Sequence, residues 1–238
     1  MADLSKQVRF LKLYAMFLTI AIIILAVILA LSMHNSHFKE LTAERINIIE
    51  PNGMLRMVIS DEKNQHPGMM NGKIMTSRER PAGMIFFNND GDEDGGLVYE
   101  GNKNGAGMVY SFDQYKNDQV MQLQYNQSND GKGKTIGRSY GLKLWDRADD
   151  FTLQRVIDYV DSLKKLKDTN AYKSGINKLK AEGKLGQQRF FAGKNENGEV
   201  GLFLSDSKGI PRLKIYIDKN NQPVIQTLDQ KGDVISTK

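Results

Sequence analysis

Apolar and polar residues alternate along most of the chain after residue 44, which is the pattern of β-strands. The turn Pro51-Asn52-Gly53 separates two such runs and predicts a hairpin. Residues 61–81 carry turn signals and predict a loop. Further strands are predicted at 83–88, 97–100, 108–112, 120–125 and 140–145. The segments between them are rich in Asn, Asp and Gly, as tight reversals require.

The pattern changes to a helical one between residues 149 and 186. Four apolar residues recur there with spacings of three and four: Leu153, Val156, Val160 and Leu163. Asp149 and Asp150 suit the start of that helix, and Lys164 and Lys165 suit its end. A second helix is predicted to end near Gly183, so the segment is expected to form a helical hairpin packed on the sheet.

The last quarter of the chain repeats a short unit of strand, aspartate and turn. The aspartates are Asp206, Asp218 and Asp229, spaced twelve and eleven residues apart. An antiparallel meander fits this period, and a β-solenoid or an intertwined trimeric β-prism is the alternative. We expect the units to pack within the chain, so that residues from about 40 onward fold as a monomer in which Ile215 is buried.

Residues 13–31 contain no charged side chain and would span about 28 Å as a helix, close to the thickness of a bilayer's hydrocarbon core. Lys6, Arg9 and Lys12 precede this run, which favours a cytoplasmic N-terminus and export of everything that follows. The length favours a retained anchor. A signal peptide cleaved near Ala30-Leu31-Ser32 is the alternative.

The chain is therefore predicted to be mainly β, with an N-terminal transmembrane helix followed by an antiparallel β meander or sandwich-like domain that carries a short helical hairpin insertion. The predicted segments are a cytoplasmic tail at 1–12, the transmembrane anchor at 13–32, a juxtamembrane linker at 33–44, a β-rich extracytoplasmic region at 45–148, the helical insertion at 149–186 and a β-repeat region at 187–238.

Several short motifs of the chain resemble a family of uncharacterised bacterial single-pass membrane proteins. They are residues 44–48, 51–53, 55–60 and 82–88, together with Ser111-Phe112-Asp113-Gln114-Tyr115 and Trp145-Asp146-Arg147. The similarity extends from the anchor to about residue 147. It implies a bacterial origin and a membrane anchor, and it supplies no activity.

Composition narrows the possible functions. The chain has 33 Lys and Arg against 28 Asp and Glu, a mixed and mildly basic balance that does not indicate nucleic-acid binding. It has no cysteine, which excludes disulfides, thiolate catalysis and cysteine-ligated metals. Its histidines number only three, of which His34 and His37 follow the apolar run and form a weak candidate metal pair.

One acidic segment resembles the first half of a calcium-binding loop. Asp90, Asp92 and Asp94 alternate and are followed by Gly95, so their carboxylates are candidate calcium ligands. The glutamate that normally completes such a loop is missing, because its position is occupied by Gly101. The alternative is an exposed hairpin turn whose acids prevent strand pairing at the edge.

These observations predict a membrane-anchored extracytoplasmic module that binds or scaffolds and does not catalyse. Its expected partners are the membrane and an envelope protein, reached through the anchor or the β surface, and no cofactor is expected unless the acidic turn holds calcium. The alternative is a cell-envelope hydrolase that uses Asp90, Asp92 and Glu93, although acids in a solvated turn would keep ordinary pKa values.

Overall fold

The computed structural model describes residues 2–34, 38–75 and 78–238. Residues 35–37 of the predicted linker and 76–77 of the predicted loop therefore lie outside the described residues. The chain divides into two compact units, Met1–Ala43 and Glu44–Lys238. The first unit contains helix α1 (Ala2–His34), in which Leu4–Leu31 is the candidate membrane span and includes an 18-residue window with a mean hydropathy of 2.9. This helix is long and apolar enough to cross a membrane.

The second unit is mainly β and contains two helices. Its strands are β1 (Arg45–Ile49), β2 (Leu55–Ser60), β3 (Met69–Met70), β4 (Lys73–Ile74), β5 (Ala82–Phe87), β6 (Glu93–Asn102), β7 (Gly105–Asp113), β8 (Gln119–Asn129), β9 (Thr135–Asp146), β10 (Gln187–Lys194), β11 (Val200–Ser205), β12 (Pro211–Ile217), β13 (Pro223–Leu228) and β14 (Val234–Thr237). The helices are α2 (Leu153–Lys165) and α3 (Thr169–Ala181).

Twelve of these strands form one antiparallel sheet in the order β1-β2-β5-β6-β7-β8-β9-β10-β11-β12-β13-β14. The predicted antiparallel meander is confirmed, since each strand pairs with its neighbour in this order and the chain forms no solenoid in the region of the repeat. Several strands are longer than predicted, because polar residues at their ends continue the backbone ladder. The predicted loop at 61–81 contains the small β3–β4 hairpin.

The repeated aspartates occupy equivalent positions in the hairpin turns of the last quarter. The Asp218 carboxylate accepts hydrogen bonds of 2.8 Å from the backbone N–H groups of Asn220 and Gln222. Asp206 and Asp229 make the same pair of contacts two and four residues ahead. Each aspartate thus satisfies turn amides that would otherwise lack a partner, which explains the repeat in structural terms.

The predicted helical hairpin is present between β9 and β10. Lys164 and Lys165 lie in the last turn of α2, as predicted. Asp149 and Asp150 lie just before the N-cap Thr152, outside the first turn of the helix. Gly175 of α3 leaves room for the Leu163 side chain, since a Cβ atom at Gly175 would lie 2.4 Å from it. The Asn117 side chain connects the end of the sheet to the segment before α2, because it donates hydrogen bonds to the carbonyls of Ala148 and Phe151. The backbone N–H of Leu153 also donates to the carbonyl of Lys116.

Tight packing is concentrated at one end of the sheet. Val58, Ile85 and Phe87 form a buried cluster against which Met69 and Val98 pack. His66 contacts the Phe87 ring edge-on at 4.9 Å between ring centroids. Residues from the 61–75 segment therefore cover this face of β2 and β5.

Candidate functional site

Strand pairing divides the side chains of the sheet between two faces, because directly paired residues project to the same side. One row of paired residues takes a residue from every strand of the twelve-stranded sheet except β14. The row consists of Ile46, Ile59, Met84, Leu97, Tyr110, Leu123, Leu142, Ala192, Leu202, Ile215 and Ile225. None of these residues is charged.

A second row lies two residues away on the same face. It consists of Ile48, Met57, Phe86, Gly95, Phe112, Met121, Leu144, Phe190, Leu204, Leu213, Thr227 and Ser236. We call the surface formed by these two rows the apolar face. It is uncharged across all twelve strands and becomes polar only at its β13–β14 edge.

The apolar face is open to solvent in the second unit. Leu123 is 59% exposed, and Leu202, Ile215 and Ile225 are 41%, 40% and 45% exposed. The expectation that Ile215 is buried is therefore wrong. The strands alternate as predicted, but no second layer covers these side chains within residues 44–75 and 78–238. Large exposed apolar surfaces are found at protein–protein, membrane and ligand-binding sites.

The opposite face is different in character. Its central row passes from the buried Val58 and Ile85 to polar residues on the later strands, namely Ser111, Gln122, Lys143, Lys214 and Gln226. Phe203 on this face stacks between Phe191 and Tyr216, with ring centroids 5.7 and 5.9 Å apart. The two faces of one sheet are thus chemically distinct over most of its width.

The structure separates the three predicted calcium ligands. Asp90 accepts a hydrogen bond from the Tyr115 hydroxyl, Asp92 accepts one from the backbone N–H of Asn71, and Asp94 lies exposed in β6. Among the described residues, no group of three or more His, Asp or Glu side chains is placed to hold a metal ion. His37 lies outside the described residues, as does the side chain of His34.

Local backbone geometry accounts for this separation. The segment is a hairpin turn organised by Asn88, whose side-chain oxygen accepts hydrogen bonds of 3.0 Å from the N–H groups of Asp90 and Asp92. The expectation that these acids face solvent is wrong for Asp92, which is only 3% exposed and whose Oδ2 has no hydrogen-bond partner in the described structure.

A carboxylate pocket that the sequence did not indicate lies beside this turn. Its cavity of about 250 Å³ is lined by methionines of the 69–75 segment and by Glu93, Asp113 and Leu153. Arg80 donates two hydrogen bonds of 2.7 Å to the Glu93 carboxylate, and these side chains are 14% and 17% exposed. This bidentate geometry is the strong form of an arginine–carboxylate contact.

Among the carboxyl groups that line this pocket, Asp113 has the pKa that is shifted furthest from its ordinary value. Burial raises the pKa of Asp113 to about 7, and the negative charges of Glu93, Asp118 and Asp94 add to this effect against the opposing charge of Arg147. At neutral pH the Asp113 carboxyl is therefore protonated in about half of the molecules, beside the ion-paired carboxylate of Glu93. The sequence gives no signal of this pocket, because Asp113 comes close to Glu93 only through the pairing of β6 and β7.

Comparison of the chain with known protein families and with curated proteins finds no match.

Proposed function

We propose that this chain is a single-pass membrane protein that displays a β-sheet docking module outside the cytoplasm. The observation that carries the proposal is the uncharged apolar face, which extends over the whole sheet and remains exposed at its centre. Exposing such a surface to water is unfavourable by about 25 cal/mol for each Å² of apolar area, so a partner that covers it gains this free energy.

The N-terminal helix supports the membrane part of the proposal. Leu4–Leu31 is long and apolar enough to span a bilayer, and Lys6, Arg9 and Lys12 lie at its N-terminal end. Positive charge next to a span is held on the cytoplasmic side, which would place the sheet on the other side. The chain would then be retained at the membrane as a signal-anchor protein of the bacterial envelope.

The chemistry of the apolar face supports a protein partner. Nucleic-acid binding requires lysine and arginine side chains that contact phosphates, and both rows of the face lack them. Binding to an anionic membrane surface likewise uses basic residues beside the apolar ones. An envelope protein with a complementary uncharged surface fits the face better than either.

The test uses single cysteines in a chain that has none of its own. Leu123→Cys places a thiol at the centre of the apolar face, and Gln122→Cys places one on the opposite face of the same strand. Intact cells are treated with a membrane-impermeant maleimide. We expect labelling at residue 122 and protection at residue 123. Labelling of neither thiol until the cells are lysed would place the sheet in the cytoplasm and contradict the proposal.

A second candidate function is hydrolysis in the cell envelope, and the pocket of Glu93 and Asp113 is the observation that favours it. A general acid at neutral pH requires a raised pKa, and the pKa of Asp113 is raised to about 7. The acids would then be Glu93 and Asp113, since Asp90 and Asp92 are engaged by Tyr115 and Asn71. Turnover of chromogenic glycoside or ester substrates that is lost in Asp113→Asn would support it, and no turnover by the unaltered chain would exclude it for those substrates.

A further inference from the structure

We infer that the partner that covers the apolar face is a second copy of this chain, packed face to face as the other half of a β-sandwich. The inference rests on the proposed function, because it names the occupant of the proposed docking surface. It replaces the expectation from the sequence that residues from about 40 onward fold as a monomer, since that expectation assumed that Ile215 is buried and it is 40% exposed. Three observations support it: the extent of the apolar face, its lack of charge, and the membrane anchor that each chain carries.

The extent of the face matches a stable protein interface. Twelve strands spaced about 4.8 Å apart form a sheet roughly 53 Å wide. Each of the two rows takes up two residues of strand, or about 6.8 Å, so the face is about 13.6 Å high and measures roughly 700 Å². A standard interface buries about 800 Å² on each partner, whereas the largest apolar patch of a typical monomer measures about 300–600 Å².

The composition of the face makes it complementary to itself. A two-fold interface places the same surface on both subunits, so any charge near the axis would meet its own copy. Neither row of the apolar face contains a charged residue. Two such faces therefore pack without leaving a buried unpaired charge, in the manner of aligned sheets about 10 Å apart.

The centre of the face contains side chains suited to this packing. Tyr110, Leu123 and Leu142 follow one another across β7, β8 and β9. Leu123 is 59% exposed and Tyr110 is 37% exposed, whereas Leu142 is half-buried. A two-fold axis through the middle of a twelve-stranded sheet passes near β8 and β9, and it brings Leu123 close to its counterpart.

A single anchor per chain is compatible with this symmetry. When the two-fold axis runs along the membrane normal, it carries each chain onto the other without turning it over. Both anchors then enter the same bilayer from the same side. Confinement to one membrane also raises the effective concentration of one copy near another, which favours association.

The experiment is cross-linking of the full chain in membranes. Two differently tagged copies of Leu123→Cys are made together and treated with a short bismaleimide. We expect a species of twice the 26.9 kDa chain mass that carries both tags. Gln122→Cys is the matched control, since it is the adjacent residue on the opposite face, and it should remain at the mass of one chain. Leu142→Cys with Lys143→Cys repeats the comparison on β9 and guards against a folding defect in one variant.

Thiol reactivity separates failure of this inference from failure of the proposed function. If residue 123 is not cross-linked but is protected from a soluble maleimide in native membranes, another molecule covers the face. The docking surface then stands and the second copy does not. If residue 123 is uncross-linked and reacts as fast as residue 122 in those membranes, the face is uncovered and both proposals are overturned.

Discussion

Leu123 and Leu142 lie directly opposite each other on β8 and β9, at the middle of the apolar face. The two residues that flank this pair in the same row, Tyr110 and Ala192, are also uncharged. Cross-strand apolar pairs stabilise a sheet when another layer excludes water from them. A second copy packed over this pair would therefore stabilise both the sheet and the proposed dimer.

The two faces should respond differently to a charged substitution. Ile85 is fully buried, and Ile85→Asp should prevent folding because the carboxylate has no solvent or partner. Ile215 is 40% exposed, so Ile215→Asp should leave the fold intact and weaken association. Circular dichroism during thermal unfolding measures the difference. The milder Ile85→Ala should lower the free energy of unfolding by about 2–5 kcal/mol. Equal loss of structure in the two Asp variants would show that Ile215 is part of the core.

Asp113 should make stability depend on pH. Its pKa is about 7 in the folded chain, chiefly through burial, against 3.8 for the unperturbed group. Between these values the folded state binds more protons than the unfolded state, so the contribution of Asp113 to stability falls as pH rises from 3.8 to about 7.

Asp113→Asn replaces the carboxyl by a neutral group of the same shape. The variant should gain stability over the unaltered chain at pH 8, with a smaller gain at pH 5. Urea unfolding at both pH values measures this difference. A gain of equal size at pH 5 and pH 8 would contradict the raised pKa.

The Arg80–Glu93 pair should matter more than an exposed ion pair. Glu93→Gln leaves the Arg80 guanidinium without its carboxylate in a site where both side chains are less than one-fifth exposed. We expect a loss of about 2 kcal/mol in the free energy of unfolding. Lys164→Gln is the control, because the Lys164–Asp161 pair is exposed and should contribute less than about 0.5 kcal/mol. Denaturant titration of the two variants gives the comparison. Similar losses would show that burial does not strengthen the Glu93 contact.

The close approach of β11 and β12 should make substitution of Gly201 destabilising. A Cβ atom at Gly201 would lie 2.1 Å from the Ile215 carbonyl oxygen, so Gly201→Ala requires a backbone shift. We expect a loss of about 1–3 kcal/mol. Gly137 also lies in a strand, and a Cβ atom there would meet nothing within 4 Å. Gly137→Ala should therefore be neutral or slightly stabilising. Thermal unfolding followed by circular dichroism measures both variants. A neutral Gly201→Ala would show that the two strands move apart easily.

The order of the strands could be predicted from the sequence because short turns join them. Turn signals such as Asp206 and Asp218 lie between runs of period-two alternation, and a short turn forces neighbouring strands to pair antiparallel. The helical hairpin was predicted for a similar reason, since the apolar residues of α2 recur at helical spacing.

The state of the apolar face could not be predicted in this way. Alternation identifies the face on which Ile215 lies, but it is the same whether that face packs against a second layer or remains exposed. The Asp113 pocket was missed because its electrostatics arise from Glu93 and Asp118, which lie 20 and 5 residues away in sequence. The acidic motif suggested a calcium loop because the spacing of its aspartates resembles one. The spacing does not show that the Asn88 side chain accepts hydrogen bonds from the N–H groups of Asp90 and Asp92 and so forms a hairpin turn instead.

The native mass of the purified full chain tests the central claim most directly. We predict that the unaltered chain, extracted from membranes and kept in detergent, has a protein mass twice that of one chain. Leu123→Asp, at the 59% exposed centre of the apolar face, should have the mass of one chain and keep the circular dichroism spectrum of the unaltered chain. Gln122→Asp, on the opposite face, should stay dimeric. An unaltered chain that is monomeric at all concentrations, or a Leu123→Asp variant that remains dimeric, would contradict the account.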